Sequence, residues 1–129
     1  VASSSAMALE TAESEAFNLL QKDVAFAGLN AGGIWRGVAF PDASAYTEIS
    51  AESARGVGNA LCGNPIAWLV RVVVTCWSRE SLPASAGDSA VALLSAQGWN
   101  EEESDVPAPY VNAGGDVYRA ISVTLSKEY

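Results

Sequence analysis

Apolar residues follow two different periods along this chain. Over residues 7–21, "MALETAESEAFNLLQ", Leu9, Ala12, Ala16, Phe17 and Leu20 recur at the spacing of one helix face. Ala, Leu and Glu favour the same conformation, so the segment predicts an amphipathic helix. Ser5 or an earlier serine is placed to cap it, and Glu10 and Glu13 fall in early turns, where the helix dipole favours carboxylates. Residues 23–29 predict a second short helical turn that "NAGG" (30–33) ends. A short strand follows over 33–40, stopped by Pro41 and Asp42. Over 45–53, Tyr46, Glu48 and Ser50 alternate with Thr47, Ile49 and Ala51, the pattern of a half-exposed strand. The Gly/Asn-rich segment 55–65 reads as a loop.

Residues 68–79, "WLVRVVVTCWSR", are the most apolar stretch. As a strand they put Trp68, Val70, Val72, Val74 and Cys76 on one face, and Leu69, Arg71, Val73, Thr75 and Trp77 on the other. Pro83 suits a helix start, and 84–96 is helix-compatible although Gly87 interrupts it. The acidic, proline-bearing segment 100–109 reads as an exposed loop. The end of the chain predicts a hairpin about Gly114 and Gly115. In its last strand Ile121, Val123 and Leu125 share one face, and Tyr118, Ala120, Ser122, Thr124 and Ser126 form a small, flat, polar one.

This order predicts an α+β fold, a two-layer sandwich in which an antiparallel sheet of about four to five strands carries two helices on one face. A single domain over residues 1–129 is expected, with a flexible start at 1–5. The helices cover one side of the central strand. Nothing else in the chain is available for the other side, so the simplest second cover is another copy of the protein.

Composition narrows the functions open to such a fold. Half of the 129 residues are apolar, which permits one real core and argues against disorder. Seven basic against fifteen acidic residues give a net charge of −8, so tight binding of nucleic acid is disfavoured. Histidine is absent, which removes Ser-His-Asp, Cys-His and His-metal chemistry. Cys62 and Cys76 read as free, mostly buried thiols. The start lacks the basic region and apolar run of a secretion signal, and no stretch is apolar for long enough to span a bilayer. The expectation is folding in a cytoplasm with no membrane partner.

Individual motifs point to no chemistry. "GVGNALCG" (56–63) lacks the Gly-Lys-Ser/Thr ending and following helix of a phosphate loop, so it reads as a connector. Cys76 has no histidine to activate it and reads as a core residue. Glu101, Glu102, Glu103 and Asp105 lack the alternating spacing and turn glycine of a calcium loop, and read as a solvated charge run. No catalytic residue, cofactor or metal is expected. Arg71 must find a carboxylate or carbonyls, within the fold or on a neighbour, because an unpaired buried arginine is costly. Trp35, Trp68, Trp77 and Trp99 fit core positions, although tryptophan also anchors interfaces.

The order of these signals resembles the tail-completion, or tail-terminator, proteins of long-tailed bacteriophages and related gene transfer agents. The residues that carry the resemblance are an N-terminal helix ending in "FNLLQKDVAFAGL", a short "GIWRG" strand, "WLVRVVVTCWSRE" leading into "ASAGDSAVALLSA", and the final "DVYRAISVTLSKEY". The chain departs from the pattern in its serine-rich start and in "AYTEISAES", which lacks a Pro-Tyr opening. The resemblance implies a virion structural protein of the tail or neck, not an enzyme. It implies a ring, usually of six copies, that caps the tail tube protein, docks on the head-tail connector or stopper protein, and lets DNA pass without specific binding. On that reading Leu69, Arg71, Val73, Trp77, Ser122 and Thr124 contribute to subunit contact, and the segments 55–64 and 101–105 meet other rings. The alternatives are another phage neck or tail-tube component, or a small non-viral α+β ligand-binding domain with a pocket between helices and sheet.

Overall fold

Capping and small side chains set where the first helix lies. In the computed structural model, which describes residues 4–60, 63 and 65–129, α1 spans Ser5–Lys22 and is capped by Ser4, whose Oγ accepts the Met7 N–H at 3.2 Å. The flexible start expected for 1–5 lies outside the described residues at 1–3, while Ser4 and Ser5 belong to this helix start. The buried stripe of α1 is Ala8, Ala12, Ala16 and Leu20, and three alanines in it let the helix axis lie close to the sheet. Asp23 caps α2 (Val24–Gly28) by accepting the Phe26 N–H at 2.8 Å.

The strands are β1 (Ile34–Arg36), β2 (Ala45–Asn59), β3 (Pro65–Ser78), β4 (Asn100–Asp105), β5 (Tyr110–Val111) and β6 (Val117–Glu128), with α3 (Ala84–Ser95) between β3 and β4. The main sheet runs β1-β2-β3-β6-β4, and β5 pairs with the start of β6. All pairings are antiparallel except β1 with β2. The fold is therefore the expected α+β sandwich, with a sheet of six strands and one parallel pair.

Helices α1 and α3 pack on one face of the sheet. Between them and the sheet lie Ile49, Val70, Val72, Val74, Cys76, Val123 and Leu125, all buried, with Phe26, Leu94 and Trp99 closing the ends. Gly87 holds a place in α3 because a Cβ there would meet Ile121 Cγ2 at 3.2 Å. Of the expected buried thiols, Cys76 is free and buried, and Cys62 lies outside the described residues. Burial pushes the Cys76 thiol up to about 11, against a smaller opposing hydrogen bond with Thr47.

Two expected loops are strands. Where 55–65 read as a connector, β2 continues to Asn59 and β3 begins at Pro65, so most of that segment forms the far half of a long hairpin. Its glycines fit that geometry: Gly58 has φ +66, and a Cβ on Gly56 would come within 2.9 Å of Pro65 Cγ. Where 100–109 read as an exposed loop, Asn100–Asp105 is the outermost strand of the sheet. Its residues are all exposed and mostly acidic, which hid the strand from a hydrophobic pattern and is how sheets protect a free edge.

Candidate assembly surface

Register decides what the helix-free face of the sheet carries. Val73 lies opposite Ser50 on β2 and Thr124 on β6, Thr75 lies opposite Glu48 and Ser122, and Trp77 lies opposite Tyr46 and Ala120. A bulge between Ala51 and Ser53 then reverses the alternation, so that Ser53 and Arg55 join this face beside Arg71 and Leu69. Glu13 of α1 accepts the Ala51 N–H at 2.8 Å, satisfying a donor at the bulge. All six expected contact residues, Leu69, Arg71, Val73, Trp77, Ser122 and Thr124, thus share one face of two adjacent strands. Their surroundings divide it into three zones.

At the centre, side chains are small. The hydroxyls of Thr75 and Ser122 are 2.9 Å apart and hydrogen-bonded, Val73 is half-buried, and Ser50 is exposed. Thr124 and Ser126 are buried within the sheet surface itself. Around Arg71 the face is ionic. Its guanidinium lies 3.5 Å from Glu52, 3.1 Å from Glu102 and 3.3 Å from Glu103, tying β3 to β2 on one side and across β6 to β4 on the other. Both sources of a partner were open for this arginine, and carboxylates of its own fold hold it. Sequence reading missed these because Glu52 sits at the bulge and Glu102 and Glu103 on an unrecognised strand.

The third zone corrects the expectation that nothing in the chain could cover this face. At the Trp77 end, the segment before β2 and the β5–β6 hairpin fold over it. Tyr46 and Tyr118 are fully buried there, in an aromatic cluster with Trp77, Tyr110 and Phe40. Tyr118 donates its hydroxyl proton to the Ala43 carbonyl at 2.7 Å. Trp77 Nε1 donates to Glu48 at 2.9 Å, and the other oxygen of Glu48 accepts the Ala39 N–H at 2.6 Å. Burial, with Glu48 nearby, raises the Tyr46 phenol well above its ordinary range. Trp77 is therefore a packing residue of its own chain, and the uncovered apolar positions are Leu69 and Val73. The face is less greasy than its alternating pattern predicts.

A cavity of about 340 Å³ opens beside this cluster, lined by Phe40, Tyr110 and Tyr118 together with Asp42 and Asp116. It lies on the opposite side of the sheet from the helices. No helix is long and apolar enough to cross a membrane, and no group of His, Cys, Asp or Glu is placed to hold a metal ion, among the described residues. No protein-family model and no curated protein matches the chain.

Proposed function

We propose that this chain is a self-assembling structural protein of the phage tail-terminator kind. It forms a ring, hexameric by the resemblance, at the head-proximal end of a tail tube, ending tube growth and joining the tail to the head connector. The observation that supports this best is the two-sidedness of the sheet. One face is sealed by α1 and α3, while the other presents a flat, small-side-chain centre at Ser50, Val73, Thr75 and Ser122 that no element among the described residues covers. A flat, hydrogen-bonded hydroxyl surface suits close approach of another sheet more than capture of a small ligand. The partners are other copies of the chain, the tube protein and the connector or stopper ring, and multivalent ring-on-ring docking makes weak single contacts sufficient. Net negative charge suits a ring that DNA crosses without sticking, because a basic lining would hold the phosphates.

Val73→Asp tests the reading. Val73 is half-buried on the outer face and touches no part of the helix-side core, so the variant stays folded by circular dichroism. It fails to form rings by electron microscopy and remains a monomer by sedimentation. Normal rings from this variant would remove Val73 and its neighbours from the subunit contact.

A further inference from the structure

The β2–β3 hairpin outruns the sheet that supports it. The β3–β6 ladder ends at Leu69 opposite Glu128, with Tyr129 closing it by mutual backbone hydrogen bonds with Trp68. Beyond that point Val57–Asn59 and Pro65–Ala67 pair only with each other, as a two-stranded ribbon. Such a ribbon is marginal in water unless it packs on something, yet Ile66 on it is 61% exposed. The charge at its base is also unlike the rest of the molecule. Between Glu52 and Arg71 the one charged residue is Arg55, opposite Leu69 on the last three-stranded rung, in a chain of net charge −8, and Arg55 makes no ion pair among the described residues.

The complementary feature is at the other end of the same hairpin. The cavity beside the aromatic cluster holds Asp42 and Asp116, which share a single cationic nitrogen, Arg79 Nη1, at 3.3 and 3.4 Å. Two carboxylates therefore face one guanidinium, and the Asp42 side chain is 88% exposed. Phe40 and Tyr110, with ring centroids 5.0 Å apart, form an aromatic wall beside them. Carboxylates next to aromatic rings are the surroundings that bind a second guanidinium, through charge-assisted hydrogen bonds and stacking.

We propose that the hairpin arm of one copy docks along the next copy, with Arg55 at the base of the arm entering this cavity between the Asp42 and Asp116 carboxylates and the aromatic wall. Along β2, Arg55 stands roughly 30 Å from Tyr46 at the cavity end, at about 3.3 Å per residue, so one molecule cannot satisfy both. The contact is head-to-tail, the kind that closes into a ring when its rotation allows. It deepens, and rests on, the self-assembly reading, and it places a second, ionic contact away from Val73.

Charge reversal tests it. Arg55→Asp and Asp42→Arg, both at exposed positions, each weaken self-association at least about tenfold by sedimentation velocity. An equimolar mixture of the two regains wild-type assembly, because alternating copies pair Asp with Arg at every interface. Wild-type protein that stays monomeric to millimolar concentration would overturn both this proposal and the self-assembly reading. Wild-type association that either variant retains in full, or that the mixture does not restore, would overturn the arm contact alone.

Discussion

Cys76 carries the clearest single-residue consequence of burial. With no histidine or cation beside it, its thiol is displaced to about 11 by desolvation, so it is a packing group with suppressed nucleophilicity. The folded state therefore holds the proton at a pH where an unfolded thiol, with an ordinary value near 9, releases it. Stability from this site is complete below the unfolded value and is lost as pH rises toward the folded one. Urea unfolding should show a loss of about 1 kcal/mol between pH 8 and pH 10 that Cys76→Val removes. Sequence was enough to place this cysteine in the core, since strand alternation puts it with Val70, Val72 and Val74. Partners that depend on register, such as Thr47, could not be read the same way.

Among the elements, β4 is the one whose place depends most on side-chain electrostatics. It offers no buried residue of its own, and its ladder to β6 contains an irregularity between Glu101 and Glu103. Arg71 reaches it across β6, so this arginine holds an edge that hydrophobic packing does not. Arg71→Met should lower stability by about 1 kcal/mol at low ionic strength, since removal leaves three carboxylates close together. The difference should shrink in about 1 M salt, where screening acts over roughly 3 Å. Denaturant titrations at the two ionic strengths measure this, and equal losses at both would mean that Arg71 acts through its aliphatic stem. The helices were legible because their apolar period is strong. This strand was not, because an acidic edge has no apolar period to read.

For the whole molecule, charge and shape act together. Basic side chains are few, and Arg36, Arg71, Arg79 and Lys127 are each held by carboxylates of the same chain. Little positive surface is left for a polyanion. Duplex DNA should migrate unretarded in gel shifts with this protein even at about 50 mM salt, where counterion release would favour binding most. A retarded complex would remove the non-adhesive conduit from the functional reading. The proposed assembly through the uncovered sheet face and the projecting arm belongs to this scale, because neither surface exists until β2, β3 and β6 are in register.

What the sequence by itself determined is the class and order of the elements: period and capping residues act locally, so α1, α3, β3 and β6 declare themselves within a few turns or alternations. It also determined which strand faces are apolar. Only the tertiary structure decided that β2 and β3 extend into an arm, that acidic residues form an edge strand, and that Trp77 is sealed by its own chain while Val73 is not. Those outcomes follow from a bulge, a register and long-range ion pairs, whose partners lie far apart along the chain and leave no local pattern.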